Sequence, residues 1–224
     1  MEPRVLVGCP TSEHKLYCLQ DYADAVKRIQ YPRKDILLVD NSKEDTYFQE
    51  IYTLGLPVIK GPYFEKAKDR IIASRNILRE HVLKEGYDYF LSLEQDVIPE
   101  PNVIQTLLSH QKEIVGGVVY NNLPLGSLIK RMPMVYVPHP KDPTGLEYIS
   151  EEKLKKPQII EVKACALACM LIHRDVLEKI QFRYMGGFDD MMFCKDAIAQ
   201  GYTLFVDTAV QPIHKHSSWE GILQ

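Results

Sequence analysis

The chain has 224 residues, of which 46% are hydrophobic and 25% are charged. This composition is typical of a globular protein and excludes collagen-like, coiled-coil and disordered chains, and the length suits one domain. A net charge of −3 provides no global attraction for nucleic acid. The longest apolar run, at residues 164–172, is shorter than the ~20 residues that span a bilayer. We therefore expect no nucleic-acid partner and no transmembrane segment.

Short apolar runs alternate with helical patterns through the first 120 residues. Strands are predicted at 5–8, 36–39, 56–60, 89–93 and 113–120, and helices at 14–29, 46–54, 66–85 and 101–110. Strands that alternate with helices indicate βαβ crossovers. We therefore predict an α/β fold with a mostly parallel sheet covered by helices on both faces.

The regular alternation stops at Asn121. Five of the 14 prolines fall within residues 121–145, which predicts a loop or an irregular hairpin. The charged segment 141–158 is interpreted either as a solvated loop or as a mobile flap over a site. Beyond it we predict a strand at 159–172, helices at 174–180 and 190–200, a strand at 202–206 and an extended segment at 209–216. We expect a single domain over residues 1–224, with a Rossmann-like half (1–120) and a more irregular half (121–224).

Polar side chains follow three of the predicted strands. Pro10 and Thr11 follow the first strand, Asp40 follows the second, and residues 94–96 follow the fourth. Ligands of open parallel sheets bind outside the carboxyl ends of the strands. Each of these residues has an alternative interpretation as a turn-forming or helix-capping residue.

The segment after the fourth strand contains two carboxylates, Glu94 and Asp96, on either side of Gln95. On an extended backbone Glu94 and Asp96 project to the same side. Two carboxylates on one side suit a hard divalent cation such as Mg²⁺, which is usually held by one or two carboxylates plus substrate phosphates.

Two further groups lie late in the chain. Asp189 and Asp190 open a predicted helix, where they are either helix-capping residues or a candidate general base. His214 and His216 would face one side of an extended segment, and imidazole is a better ligand for Mn²⁺ than for Mg²⁺. Alternatively, both histidines are ordinary polar residues on the protein surface.

The predicted helix at 66–85 contains Arg70 and Arg75. Arginine forms bidentate contacts with phosphate, although a solvated helix surface explains each residue equally well. There is no GxxxxGK[ST] loop, no GxGxxG after the first strand and no GxSxG elbow. P-loop, dinucleotide-binding and serine-hydrolase interpretations therefore lose their main support.

The motifs form one ordered series, whose members are Asp40-Asn41-Ser42, residues 73–76, residues 91–99, Gly116-Gly117, residues 189–194, Gly201-Tyr202 and His214. Their order and spacing resemble those of the glycosyltransferases of the GT-A fold, most closely the family 2 class. The resemblance extends from residue 5 to about residue 216. It implies a GT-A-like domain with a nucleotide-sugar-binding half and an acceptor half.

The resemblance also implies a role for each motif. Glu94 and Asp96 correspond to the family's Asp-x-Asp metal motif, which His214, or alternatively His216, completes. Asp190 corresponds to the general base, and Asp189 to its neighbour that holds the acceptor. The implied contacts to the nucleotide sugar are Pro10, Thr11, Asp40, Arg70, Arg75, Asn76 and Gln95.

The activity implied by the resemblance is a metal-dependent, inverting transfer of a hexose from a UDP- or GDP-sugar. The cofactor would be Mn²⁺ or Mg²⁺, and the acceptor would be a hydroxyl of a glycan, a lipid-linked molecule or a small molecule. Such donors are made in the cytosol. The chain opens without the pattern of a signal peptide, and its five cysteines have no CxxC spacing. We therefore expect a cytoplasmic protein with free thiols, and peripheral contact with a membrane is compatible with these features.

Three alternatives stay open. The first is retaining transfer on the same fold, and the second is a non-catalytic relative that binds nucleotide sugars. The third is a sugar nucleotidyltransferase, which has less support because residues 9–13 lack the expected glycine-rich, basic loop.

Overall fold

The computed structural model describes residues 2–125, 128–142, 144–185 and 188–216. Its strands are β1 (Val5–Thr11), β2 (Lys34–Asp40), β3 (Val58–Lys60), β4 (Tyr89–Leu93), β5 (Val97–Ile98), β6 (Ile114–Gly117), β7 (Tyr120–Leu125), β8 (Leu128–Pro133), β9 (Val135–Pro138), β10 (Leu146–Tyr148), β11 (Ile159–Val162), β12 (Ala164–Cys165), β13 (Cys169–His173), β14 (Leu204–Asp207) and β15 (Ile213–His214).

A 3₁₀ helix at Glu13–Cys18 leads directly into the first α-helix. The α-helices are α1 (Leu19–Arg28), α2 (Thr46–Thr53), α3 (Ala67–Glu85), α4 (Val103–Ser109), α5 (Glu151–Leu154), α6 (Arg174–Lys179) and α7 (Asp189–Ala199). Helix α3 ends at Gly86, whose φ of 72° lies in the left-handed region that glycine adopts without strain.

The large sheet has the strand order β11, β14, β6, β13, β4, β1, β2, β3. Parallel pairs join β1 to both β2 and β4, β2 to β3, and β6 to β14, whereas β11 and β13 pair antiparallel with their neighbours. Six of the eight strands therefore run in one direction. The predicted α/β class with a mostly parallel sheet is confirmed.

Alternate residues of β1 face opposite sides of the sheet and enter two separate apolar clusters. Leu6 joins Leu78 of α3 in one cluster, while Val7 joins Tyr22 of α1 in the other. The first cluster also contains Phe193 of α7, so side chains from both predicted halves of the chain pack together. Both faces of the sheet are covered by helices, as near-continuous apolar strands require.

The chain departs from the predicted elements where pairing partners are distant in sequence. The single strand expected at 159–172 is divided into β11, β12 and β13, with a bend at Lys163. The chain leaves the large sheet at this bend, because β12 pairs with β9 in a separate three-stranded sheet, and it returns with β13. An apolar run predicts extended backbone, but it does not predict which sheet the strand joins.

The proline-rich segment after Asn121 is more regular than a loop. Strands β7 and β8 form an antiparallel ribbon, and β9 and β10 follow it. In the charged segment, described at 141–142 and 144–158, Ile149 and Leu154 are buried in the core. These two side chains anchor the segment, so it is not a wholly solvated loop.

All five cysteines are free and buried, as expected for small apolar core residues. Burial raises the pKa of the Cys9, Cys169 and Cys194 thiols to about 12. Across the described ranges, no helix combines the length and the apolar character that a membrane crossing requires.

Candidate functional site

A cleft of about 270 Å³ opens at the carboxyl ends of β1, β2 and β4. Parallel strands end at the same edge of a sheet, so the side chains that follow them converge there. Helices α3 and α7 supply the remaining wall. The lining residues include Pro10, Thr11, Lys15, Asn41, Arg70, Arg75, Glu94, Gln95 and Asp189.

Arg75 joins two walls of this cleft. Its side chain is almost completely buried, and its Nε donates to Asp189 Oδ2 at 2.6 Å while its Nη2 donates to Glu94 Oε1 at 2.7 Å. A third bond runs from Nη1 to Ser92 Oγ at 3.1 Å. The guanidinium is therefore paired with two carboxylates, and it fixes the start of α7 against the end of β4.

Asp96 lies in a second cluster, together with residues of the first helical turn and of β15. Its Oδ2 forms an ion pair with Nζ of Lys15 and lies 3.4 Å from Nε2 of His214. Burial opposes ionisation, but the bonds from His214 and Lys15 lower the pKa of Asp96 below its usual range. The other oxygen, Oδ1, is buried and has no hydrogen-bond partner among the described residues. The cluster therefore contains an ionised carboxylate with one oxygen unpaired.

The ring of His214 is oriented by the backbone. Its Nδ1 lies 2.7 Å from the carbonyl oxygen of Tyr120, which can only accept, so Nδ1 carries the proton and Nε2 faces Asp96. Burial lowers the pKa of His214, but the hydrogen bond and charge of Asp96 outweigh it and raise the pKa overall. In the neutral ring Nε2 presents its lone pair, which is the tautomer that metal-ligating histidines use. The ring of His216 lies beside it, with the ring centroids 4.5 Å apart and the rings tilted by 52°.

Asp96 and His214 fit a divalent cation, because a buried carboxylate oxygen without a partner and an oriented imidazole are suitable ligands. Within the described ranges, no three His, Cys, Asp or Glu side chains form a complete metal site. Phosphate oxygens or water would therefore have to complete the coordination shell beside these two ligands, which is a common arrangement for Mg²⁺.

Glu94 and Asp96 do not project to the same side. Residues 94–96 form a turn closed by the bond from Val97 N–H to the Glu94 carbonyl at 2.9 Å, so the extended backbone assumed for this segment is absent there. Glu94 points to Arg75, while Asp96 points to Lys15 and His214. The metal role of Glu94 stays a prediction.

Asp189 and Asp190 open α7 and differ in their surroundings. Asp189 is held by Arg75, whereas Asp190 has no ion pair among the described residues and accepts only the backbone N–H of Met191 at 2.7 Å. Burial, together with the negative charge of Asp189, raises the pKa of Asp190 to about 6. Neighbouring carboxylates whose pKa values are pushed apart are suited to different roles.

Two of the predicted nucleotide contacts lie behind the cleft wall. Asp40 is fully buried, and its oxygens accept from Ser42 N–H at 2.9 Å and from Lys60 Nζ at 3.0 Å. The amide of Asn76 exchanges two bonds with the backbone of Phe182, at 2.9 and 3.0 Å. Both side chains fix loops that border the cleft, and neither lines it.

The remaining predicted contacts line the cleft. The side-chain oxygen of Gln95 accepts hydrogen bonds from Tyr47 OH at 2.7 Å and from the Thr11 hydroxyl. These three side chains form a buried polar network beneath the floor of the cleft. Arg70 bonds the backbone carbonyl of Phe64 at 2.5 Å and keeps part of its guanidinium on the cleft side. Pro10 completes this wall.

Sequence reasoning missed Lys15 and Asn41. Asn41 lines the cleft at the position where Asp40 was expected, and its Nδ2 donates to Ser74 Oγ at 3.2 Å. Lys15 belongs to the 3₁₀ helix that follows β1. The only feature of the sequence that could have placed these two residues at the cleft is that both come soon after predicted strand ends.

Comparisons with known proteins identify the fold. No family model matches the chain, and no curated protein matches it in sequence. Among solved structures, the mannosyltransferase PcManGT from Pyrobaculum calidifontis, in complex with GDP-Man and Mn²⁺, superimposes with a TM-score of 0.65 at 14% identity. S. aureus TarS 1–349, in complex with UDP-GlcNAc, gives 0.62 at 12% identity, and A197 from STIV gives 0.52 at 17% identity.

These matches cover 96% of this chain, but they extend to 57% of PcManGT, 59% of the TarS fragment and 86% of A197. Identities this low show a shared fold alone. The protein has the mixed α/β, GT-A-like fold that it shares with a mannosyltransferase.

Proposed function

We propose that the protein is a glycosyltransferase, of the family 2 class, that moves a hexose from a nucleotide sugar to an acceptor hydroxyl with inversion. One observation carries this proposal. Arg75 ties Glu94, at the end of β4, to Asp189, at the start of α7, so the strand-end cleft and the acidic pair form one continuous site. The shared fold supports it, because the fold of PcManGT accommodates GDP-Man and Mn²⁺.

The cleft is where the nucleotide sugar would bind. Pro10, Thr11 and Gln95 offer the floor and wall for base and ribose, and Asn41 adds an amide to that wall. Lys15 and Arg70 contribute positive charge for the diphosphate. Asp40 and Asn76 support these elements from behind through their buried bonds, while Arg75 lines the cleft and fixes its two acidic walls.

Asp96 and His214, with His216 as an alternative, would hold Mn²⁺ or Mg²⁺, and Glu94 lies two residues from Asp96. A divalent cation bound there would supply charge neutralisation for the departing nucleoside diphosphate. The imidazole must lose the proton from Nε2 before it can act as a ligand.

Asp190 would act as the general base. A carboxyl group whose pKa is about 6 is largely ionised at pH 7, yet it is more basic than an ordinary aspartate. It would accept the proton of the acceptor hydroxyl as that oxygen attacks the sugar from the side opposite the diphosphate. Asp189 is unsuited to this role because Arg75 stabilises its charge.

A second hollow, of about 390 Å³, adjoins the cleft and shares Ile71 and Asp189 with it. Tyr184 and the highly exposed Phe188 line this hollow. Its position beside the acidic pair suits an acceptor, whether glycan, lipid-linked or small molecule. Because nucleotide sugars are cytosolic, we place the reaction in the cytoplasm.

The proposal is tested by a thermal-shift screen of UDP-, GDP- and dTDP-hexoses with and without Mn²⁺ or Mg²⁺. A donor present at 100 times its Kd stabilises the native state by about 2.7 kcal/mol, and this effect should require the cation. Asp96→Asn is the control and should lose the cation-dependent part. If no donor stabilises the protein under either condition, the proposed function is rejected.

The mechanism is tested on the donor that binds. NMR of the transferred sugar should show an inverted anomeric centre. A retained configuration would reject the role of Asp190 as a base and favour retaining transfer. Binding without transfer or hydrolysis would instead favour a non-catalytic relative, and release of pyrophosphate would favour a nucleotidyltransferase.

A further inference from the structure

The ribbon formed by β7 and β8 exposes apolar side chains that the rest of the described chain does not cover. The two strands pair only with each other and form a sheet of their own. Leu128 is 72% exposed and Ile129 is 73% exposed, which places both among the most exposed large apolar side chains of the described residues. Neighbouring residues of a strand face opposite sides, so both faces of the ribbon are open at the start of β8.

The ribbon changes in chemistry along its length. In the cross-strand register Pro124 lies opposite Ile129, and at the next pair along the ribbon Leu123 lies opposite Lys130. Arg131 follows Lys130, and both are exposed. An apolar end is thus followed by a basic band, with about 7 Å of strand between Leu128 and Lys130.

No acidic residue balances the positive charge of this band within the same stretch of sequence. The sequence contains no Asp or Glu between Glu113 and Asp142, although the whole chain has a net charge of −3. Arg131 packs its guanidinium 3.6 Å above the ring of Tyr120, which orients the side chain and leaves its charge intact. Among the described residues no carboxylate lies within ion-pair distance of Lys130.

We propose that the end of the β7–β8 ribbon docks on anionic lipid membranes. Apolar side chains of interfacial elements enter a membrane by about 5–10 Å, which matches the ~7 Å from Leu128 back to the basic band. Lys130 and Arg131 would then lie at the level of the negative headgroups. Long basic side chains behind an apolar end are suited to this depth, because their stems remain apolar while their charges stay in water.

The chemistry of the ribbon favours lipid over other partners. A nucleic-acid surface would be expected to combine more basic residues with aromatic side chains for stacking. The first two residues of β8, Leu128 and Ile129, are instead aliphatic, and the basic residues follow them along the strand. A second copy of this acidic chain would meet the basic band as well, so the oligomeric state is measured in the test.

Docking would also orient the cleft. The ribbon begins at Tyr120, whose carbonyl oxygen bonds His214, and β15 contacts β7. A strand of six residues spans about 20 Å, so with the end of the ribbon about 7 Å deep Tyr120 and His214 would lie about 13 Å above the lipid surface. Under the proposed function this position suits a lipid-linked acceptor, but the docking itself does not depend on that function.

The test is co-sedimentation of the full chain with vesicles of phosphatidylcholine alone or with 30% phosphatidylglycerol. Binding is expected with the anionic vesicles and should weaken as salt is raised. Lys130→Gln should lower the partition coefficient about fivefold, the effect of one basic residue near an anionic surface. The double variant Leu128→Ser/Ile129→Ser should lower it at least tenfold.

Tyr52→Ser is the matched control, because Tyr52 is 68% exposed on α2 outside the ribbon, and it should bind as the wild type does. Unchanged melting temperatures would show that the variants fold. The proposal is overturned if the wild type ignores anionic vesicles, or if the double variant binds as tightly as the control. It is also overturned if the ribbon variants abolish self-association or nucleic-acid binding and leave vesicle binding unchanged.

Discussion

Arg75 donates from Nε to Asp189 at 2.6 Å, although the two residues are 114 positions apart in sequence. The same guanidinium reaches Glu94, so one buried cation organises two carboxylates at the cleft. The pairing also decides which aspartate of α7 remains without an ion pair. Asp189 is ion-paired with Arg75, whereas Asp190 has no ion pair among the described residues and has a raised pKa.

Arg75→Met should destabilise the protein by about 2–3 kcal/mol, because it removes charged hydrogen bonds from two partly buried carboxylates. Chemical denaturation at pH 7 measures this loss. Arg183→Met is the control, since Arg183 forms a bidentate pair with Asp196 at an exposed position and its replacement should cost much less stability. Equal costs for the two variants would contradict the organising role of Arg75.

Asp190→Asn should reduce kcat by roughly 10²–10⁴-fold, the usual contribution of a positioned base, while donor affinity stays unchanged. Initial rates with the donor identified by thermal shift give the first quantity, and calorimetry gives the second. Asp189→Asn is the comparison: it weakens the bond to Arg75 and should reduce stability. Turnover of Asp190→Asn within a few-fold of wild type would exclude Asp190 as the base.

The raised pKa of Asp190 predicts a pH dependence with a definite sign. Between about pH 4 and 6 the native state binds more protons at this group than the unfolded state does, so its contribution lowers stability as pH rises. Asp190→Asn should therefore be more stable than wild type by about 1–3 kcal/mol at pH 8, with a smaller difference at pH 4. Activity should rise with pH through about 6. A rate profile that is flat between pH 5 and 7.5 would contradict this assignment.

Binding of Mn²⁺ should strengthen as pH rises above 6.5. The ion pair between protonated His214 and Asp96 stabilises the fold below that pH and is lost as pH rises through the raised pKa of His214. Since the metal competes with that proton, its affinity follows deprotonation. Titrations of Mn²⁺ by electron paramagnetic resonance at pH 6 and 8 measure the effect, and His214→Gln should remove most of it.

His110→Gln is the control for that experiment. His110 forms a comparable pair with Asp207 at 2.7 Å, outside the cleft, so its replacement should leave Mn²⁺ binding unchanged. A wild-type affinity that does not change between pH 6 and 8 would argue against His214 as a ligand.

Lys15→Met should have opposite effects on two ligands. Lys15 pairs with Asp96 and lines the cleft, so its removal frees a metal ligand and deletes a positive charge from the proposed diphosphate site. We expect tighter binding of Mn²⁺ alone and weaker binding of the nucleoside diphosphate. Lys60→Met, which removes the partner of Asp40 outside the cleft, should lower stability and change neither affinity by more than a few-fold. If Lys15→Met bound both Mn²⁺ and the nucleoside diphosphate more weakly, Lys15 and the metal would not compete for Asp96.

The sequence predicted where β1, β2 and β4 lie because an apolar run that stops at a polar residue is a local signal, although β1 extends to Thr11 and not only to residue 8 as predicted. Pro10, Thr11 and Gln95 could therefore be placed at the cleft. The pairings could not be predicted. Lys15 and Asp96 are 81 positions apart, and nothing in either segment indicates which carboxylate the lysine meets.

The complete burial of Asp40 also depends on tertiary contacts that the sequence does not indicate. A polar residue after a strand predicts a position at the sheet edge, but burial depends on whether a neighbour such as Lys60 can satisfy it. The turn at 94–96 separated two carboxylates that an extended backbone would have aligned. Local patterns thus predicted the location of the site, and tertiary contacts decided which side chains share it.

Because all five cysteines are buried, the surface of the native protein presents no native thiol to alkylating reagents. Reaction with alkylating reagents requires an accessible thiolate, and the native protein presents the five cysteines in the core with raised pKa values at Cys9, Cys169 and Cys194. Their modification is therefore coupled to opening of the core. A fluorophore attached to one cysteine introduced on the ribbon would report on that position alone, without removal of any native cysteine.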